Sequence, residues 1–257
     1  MSETYEVGGV DLGRWQVTRG TTYRPATSTS RSSVNIPGRH GTIPVGLPTF
    51  EVPQVTLKLS PFRDGKLDTA AQESEVDMLA ALLASPAVKL RRMIGGETVE
   101  AEARLVSLDF PAELFRFGRW ATVTAVLELP GVFWRDTQIT ELSLPAGQST
   151  LTELAGTAPI TDAVVQWQSA TGKASVTDSS TRTSISVRAS GAATVDVGRM
   201  QGWASTSWSR SGSSLNAAID YAGPGPLQLW PSQGKTSRAV KVSCTHACKI
   251  RARRAWL

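Results

Sequence analysis

A mainly β chain in two parts follows from three features of the sequence. Strand-type alternation runs along most of its length, one stretch of helical periodicity is confined to the first half, and near residue 137 the chain turns Ser/Thr-rich and loses helical patterning. In half-buried antiparallel strands successive side chains point to opposite faces, so apolar and polar residues alternate. Val55, Leu57 and Leu59 alternate with Thr56 and Lys58, and Ala121, Val123, Ala125, Leu127 and Leu129 with Thr122, Thr124 and Glu128. Later, Ile185 and Val187 alternate with Ser184, Ser186 and Arg188, and Val240 and Val242 with Lys241 and Ser243. Between residues 99 and 110 the phase changes. Val99, Ala101, Ala103 and Leu105 share one parity, whereas Val106, Leu108 and Phe110 take the other, which predicts a bulge or bend near Leu105–Val106.

The helix is predicted over about 69–84. Val76, Leu79, Ala80 and Leu83 follow the i, i+3, i+4, i+7 spacing of one helical face. Asp68 or Thr69 is the expected cap, with Gln72 completing a capping box from Thr69. Glu73, Glu75 and Asp77 are expected to suit the positive end of the helix dipole, and Ser85-Pro86 to stop the helix. One helix on a sheet makes residues 1–137 an α+β domain. The boundary is expected close to Arg135–Gln138, with an antiparallel β-sandwich over 138–257. Stretches such as "TDSSTRTSISVRAS" and "WASTSWSRSGSS" read as exposed strand faces and loops of that sandwich, because β-branched and aromatic residues keep interrupting them.

Bulk properties narrow the function classes. The chain has 257 residues, 40% hydrophobic and 19% charged, enough for one large or two ordinary cores. The start, MSETYEVGG, has neither a basic nor an apolar stretch, so no secretion signal is expected. No window reaches the roughly 18 apolar residues of a membrane span, so folding in the cytoplasm and no membrane partner are expected. Two cysteines cannot form a disulfide framework. The net charge of +5 is uneven: residues 1–137 carry 15 basic and 16 acidic side chains, and 138–257 carry 12 and 6. After Asp220 there is no acid, while Lys235, Arg238, Lys241, Lys249, Arg251, Arg253 and Arg254 follow. Such a run suits nucleic acid or an acidic partner, but alternation puts several of these charges on one solvated strand face, the reading taken here.

Recognisable catalytic chemistry is missing. The only histidines, His40 and His246, lie far apart, and there is no GxSxG elbow, HExxH helix or phosphate loop. No carboxylate pair is singled out for glycoside cleavage. No enzyme activity and no cofactor are expected. "CTHAC", Cys244 to Cys248, has ligand-like spacing, and on a straight strand Cys244, His246 and Cys248 would share a face toward zinc. Both flanks alternate, however, and Thr245-His246-Ala247 has the length of a hairpin loop. The two cysteines are then expected as a cross-strand pair, either reduced or bridged, with no metal. Trp203, Trp208 and Trp230 lie among small polar residues, a setting for stacking on sugar rings, although Trp more often anchors a core.

The stretch "SSVNIPGRHGTIPVG", Ser32 to Gly46, looks at first like a phosphate cradle. It leads into extended chain rather than a helix, so no ring of amides awaits an anion; Pro37-Gly38 and Gly41 are turn punctuation instead. In order along the chain, "GGVDLGRWQV", "SVNIPGRHGTI", an alternating strand, a helix, "LPGVFW", "GTAPITDAVVQW" and the closing "KIRARRAWL" resemble the distal tail proteins of long-tailed bacteriophages. His40 stands where that family commonly has Asp or Asn.

The resemblance implies a structural virion protein. Residues 1–137 would form a tail-ring (oligomerisation) domain, in a ring usually of six copies that joins the tail tube to the tip or baseplate and leaves a channel for DNA. Residues 138–257 would form a galectin-like sandwich projecting outward. The expected partners are further copies of the chain, the tail tube protein, a tail hub protein, the tape measure and receptor-binding proteins, with no specific nucleic acid. Location at the distal end of the virion tail, after assembly in the host cytoplasm, follows. Pro37, Gly38, Arg39, Gly41, Phe133 and Trp134 are the candidate interface or loop residues. The alternative is a carbohydrate-binding adhesin of the tail tip, its sandwich gripping a host glycan.

Overall fold

A computed structural model of the chain describes residues 4–12, 15–22, 25, 27–38, 40–60, 69–86, 88–94, 96–110, 122–233 and 238–257. Contacts divide it into two units. One comprises Met1–Ser30, Phe50–Thr137 and Leu257, and the other Arg31–Thr49 and Gln138–Trp256. Sequence continuity assigned residues 31–49 to the first part, whereas spatial contacts group them with the second. The fold is mainly β, with one α-helix and two main antiparallel sheets among the described residues. No helix among them is long and apolar enough to cross a membrane.

The first part of the chain runs β1 (Thr4–Val7), β2 (Val10–Asp11), β3 (Gln16–Val17), β4 (Thr29–Asn35), β5 (Thr42–Phe50), β6 (Gln54–Ser60), α1 (Thr69–Leu83), β7 (Val88–Ile94), β8 (Glu97–Asp109), β9 (Val123–Glu128) and β10 (Trp134–Asp136). The sheet order is β2-β1-β7-β8-β9-β6-β3. β8 is shared: its first half pairs with β7, and from Arg104 onward it pairs with β9. The register breaks between Leu105 and Ser107, and Val106 is 51% exposed. This is the bulge that the parity change predicts, since one extra residue moves every later side chain to the opposite face.

In β6 and β9 the apolar parity faces inward. Val55, Leu57, Leu59, Val123, Ala125 and Leu127 are fully buried, and burying each larger side chain is worth about 1.5–3 kcal/mol. α1 packs against β8 with Val76, Leu79 and Leu83 buried. Its first turn holds no acid; Glu73 begins the second turn, beyond the range in which the dipole acts strongly, so that expected stabilisation is absent. Asp68, the side chains of Thr69 and Gln72, and Ala121 lie outside the described residues.

An alternating row of charges crosses this sheet. Register places Glu6 opposite Arg91, Arg91 opposite Glu100, and Glu100 opposite Arg135. Arg91 Nε donates to Glu100 Oε2 at 3.1 Å and its Nη1 to Glu6 Oε1 at 3.1 Å, while Lys89 Nζ lies 3.4 Å from Glu100 Oε1. The Glu100 hydrogen bond, with the charge of Glu6, raises the Arg91 pKa above its ordinary value.

The second part continues as β11 (Thr140–Leu144), β12 (Gly147–Leu151), β13 (Val164–Asp178), β14 (Ser184–Asp196), β15 (Gln201–Trp203), β16 (Ile219–Asp220), β17 (Pro231–Gln233), β18 (Arg238–Cys244), β19 (Cys248–Ala252) and β20 (Ala255–Trp256). One layer is ordered β11-β19-β13-β14-β15; β12, β18 and β17 join through the far end of β13, and β16 through β14. The long β13–β14 hairpin therefore belongs to both layers. From Gln166 to Val176, β13 advances ten residues while its partner retreats five, from Lys249 to Cys244, so β13 must bend. The β13–β14 register breaks between Trp167 and Ala170, and Gly172 (φ 79°) and Gly191 (φ 126°) flank the bend in conformations that favour glycine. Trp167, Val165, Val176, Val187, Val195, Val240, Val242 and Ile250 are fully buried in this unit.

Candidate functional site

The stretch that resembles a phosphate cradle is the end of a hairpin. β4 and β5 form a two-stranded sheet, with no third strand beside them among the described residues. Every residue of β4 is exposed, as is most of β5. Pro37 and Gly38 occupy the turn, with Gly38 at φ 79° and Gly41 at φ 83°, and Arg39 lies outside the described residues. At the root, Glu51 N donates to Ser28 O at 3.0 Å and Ser28 Oγ donates to the Glu51 carboxylate. Val34 (52% exposed), Ile36 (44%) and Val45 (49%) stand in solvent. Exposed apolar β-branched residues along a two-stranded hairpin suit β-sheet augmentation.

Phe133 and Trp134 have a different place from the one expected of contact residues. They are 6% and 1% exposed, packed inside the first unit. Phe133 meets Phe50 edge-on at 5.1 Å, and the Arg135 and Arg92 guanidinium groups lie 5.4 Å and 5.0 Å from the Phe133 and Trp134 ring centres. Their rings are core, so the exposed candidates are the hairpin residues Pro37, Gly38 and Gly41.

The sandwich carries a second concave feature. Arg251, Val164 and Asp196 stand in register on β19, β13 and β14, with Glu141 opposite Arg251 on β11. Arg251, Val164 and Asp196 line a cleft of about 610 Å³ with Asp162, Arg199 and Arg253. Arg199 pairs with Asp196 at 3.4 Å and Arg253 with Asp162 at 3.7 Å. Beside it, the Ser-rich segment after β15 lies over the outer face of the sheet. Gln166 Nε2 donates to Thr206 O at 2.5 Å, Thr194 Oγ1 to Ser205 O at 2.7 Å and Trp203 Nε1 to Ser207 O at 2.8 Å. Trp203 is buried, and the Arg251 guanidinium lies 4.7 Å from the Trp208 ring centre. Sequence reading leaves this face exposed. Gln166 and Thr194 have the parity of outward residues but are buried by the loop, and only their hydrogen-bonding capacity hinted at it.

The basic run near the end is partly answered within the sandwich. Lys249 and Arg251 reach Glu141 at 3.3 and 3.4 Å; Lys235 lies outside the described residues. Cys244 ends β18 and Cys248 starts β19, both buried and unbridged, with sulfurs 3.6 Å apart. β18 and β19 do not pair with one another as a hairpin would; each runs along β13. His246 turns to Thr245 and Thr171, at 3.0 and 3.4 Å. Among the described residues no group of three or more His, Cys, Asp or Glu could hold a metal ion.

No protein-family model matches the chain, and no curated protein matches it by sequence. Among solved structures, the SPP1 Dit (gp 19.1) protein, described as a paradigm of the hub adsorption apparatus in Gram-positive infecting phages, superposes with a TM-score of 0.65 over 100% of both chains at 14% identity. The phage p2 baseplate in its activated conformation, with Sr and with Ca, gives TM-scores of 0.45 and 0.43 at 12% and 11% identity, over 99% of this chain and 98% of the other. The last two scores lie below the level at which a shared fold follows; the first establishes the fold.

Proposed function

We propose that this chain, which has the fold of a phage distal tail protein, is the ring adaptor at the distal end of a phage tail. The observation that carries the reading is the agreement with SPP1 Dit over the whole of both chains. The order of the sequence motifs supports it independently. In this reading six copies close a ring around a channel through which the genome passes. The tail tube protein lies on one side, and the hub, tape measure and receptor-binding proteins on the other. The role is structural, with no catalytic residue.

A closed ring of identical subunits needs a heterologous interface, one patch meeting a different patch on the next copy. The β4–β5 hairpin suits one side of such a contact, since it is a two-stranded sheet that exposes Val34, Ile36 and Val45. Light scattering of the purified chain across a range of concentrations tests the ring. The expected mass is six times 27.4 kDa. A chain that stays monomeric both alone and with the tail tube protein would overturn the reading.

The mixed-charge cleft of the sandwich favours a second role on the same particle, binding of a host saccharide. Carboxylates and guanidinium groups together match the donors and acceptors of vicinal hydroxyls, and Val164 gives an apolar floor. A glycan array probed with wild type and with Asp196→Ala separates the two roles. Glycan binding lost in the variant, with the oligomer intact, is the expected result for a saccharide site, and an array without hits would remove it.

A further inference from the structure

Cys244 and Cys248 lie outside the lining of the cleft. They are the only cysteines of the chain, so neither has another intrachain partner. Strand pairing fixes both: Cys244 stands opposite Gly147 on β12 and Val176 on β13, and Cys248 opposite Leu144 on β11. The sulfurs, 3.6 Å apart, are already in contact. A disulfide needs about 2.05 Å, so closing the gap takes an approach of about 1.5 Å between two sulfurs joined by a three-residue loop. Between them Thr245 and Ala247 are exposed and His246 is partly so, which leaves that loop as the route by which a reagent reaches the buried sulfurs.

We infer that Cys244 and Cys248 form a site of reversible oxidative modification, dithiol in a reducing compartment and intrachain disulfide once the protein meets a low-molecular-weight disulfide such as oxidised glutathione. The Cys244 thiolate attacks one sulfur of the small disulfide. That S–S bond breaks, its other sulfur leaves as a thiolate with the electron pair, and Cys244 carries a mixed disulfide. Cys248 gives its proton to water, attacks the Cys244 sulfur and expels the second small thiolate. Two protein thiols are oxidised and one small disulfide is reduced to two thiols, so atoms and electrons balance. Thiolate formation controls such exchange. The Cys248 S–H donates to the Cys244 sulfur, which holds Cys244 below the ordinary thiol range, and the same bond together with burial pushes Cys248 above it. On this ordering Cys244 attacks and Cys248 resolves, which the two single-cysteine variants test.

The test uses the reduced full-length chain, incubated with oxidised glutathione at about pH 8, where thiol exchange is fast. Thiols are then counted under denaturing conditions and peptides mapped by mass. Both thiols should disappear without cross-linked chains or retained glutathione, the Cys244 and Cys248 peptides should be joined, and reductant should restore both thiols. Cys248→Ser should trap glutathione on Cys244, whereas in Cys244→Ser the remaining thiol should react roughly tenfold more slowly. Two thiols persisting after prolonged oxidation, or disulfides formed only between chains, would overturn the site using wild type alone. Equal reaction of the two variants would overturn the order of attack. None of these outcomes bears on the ring.

Discussion

Asp178 shows how much one side chain holds in the sandwich. It is fully buried where β13 ends, and its Oδ1 accepts from Ser180 N (2.9 Å), Ser180 Oγ (2.5 Å), Thr181 N (2.8 Å) and Thr181 Oγ1 (3.0 Å). Oδ2 accepts from Trp230 N at 3.0 Å, fastening a distant loop to the β13–β14 turn. Buried charge is tolerated when its lone pairs are filled in this way. Asp178→Ala strands several donors at once and should cost about 3–5 kcal/mol in urea unfolding. Asp178→Asn should cost less, because its oxygen still serves the turn while its amide faces Trp230 N, donor against donor. Asp220 is the exposed counterpart. Lys173 Nζ donates to its Oδ2 at 3.1 Å and, with the Tyr221 amide, holds its carboxyl below the ordinary 3.8. A carboxyl depressed on folding adds stability that is present above its unfolded value and lost as pH falls through the folded one. Asp220→Asn should therefore narrow the stability gap between neutral pH and the acid side of pH 3.8, read from thermal melts at each pH. The effect should be small, since water screens the pair.

At the scale of elements, what could be read from the sequence was whatever depends on period. The parity change at Leu105–Val106 gave the β8 bulge, and the Val76, Leu79, Leu83 spacing gave the buried face of α1. Alternation at Val55–Leu59 and Val123–Leu127 gave β6 and β9. What period cannot convey is which outward face another segment will cover. Thr194, Ser184 and Ser186 look like solvent residues but are buried, their hydroxyls donating to Ser205 O, Ala222 O and Asp220 O. The burial of Phe133 and Trp134, candidate interface or loop residues, was not legible for a related reason, because a local string does not say that Phe50, Arg92 and Arg135 will close around the rings. The β4–β5 hairpin was legible as a turn, but its pairing as a separate two-stranded sheet was not, since pairing partners are a property of topology. Its exposure makes it separable. Replacing residues 32–43 by a short Gly-Ser link should leave the thermal midpoint nearly unchanged, because the segment buries little of its own surface. The same change should reduce the light-scattering mass to that of a monomer. A large fall in the midpoint would show that the hairpin stabilises the subunit itself.

In the whole molecule the same device occurs twice. β8 passes between sheet regions at its bulge, and the β13–β14 hairpin bends through both layers of the sandwich. Each unit thus has a backbone member common to its two parts. Such a shared member bears on mechanics. A sandwich whose layers are separate sheets can shear, one sliding over the other until the core gives way. In the second unit, sliding would have to tear the ladder of β13 and β14 at the bend itself, so tension entering one layer is carried into the other by covalent chain, and the unit yields as a whole or not at all.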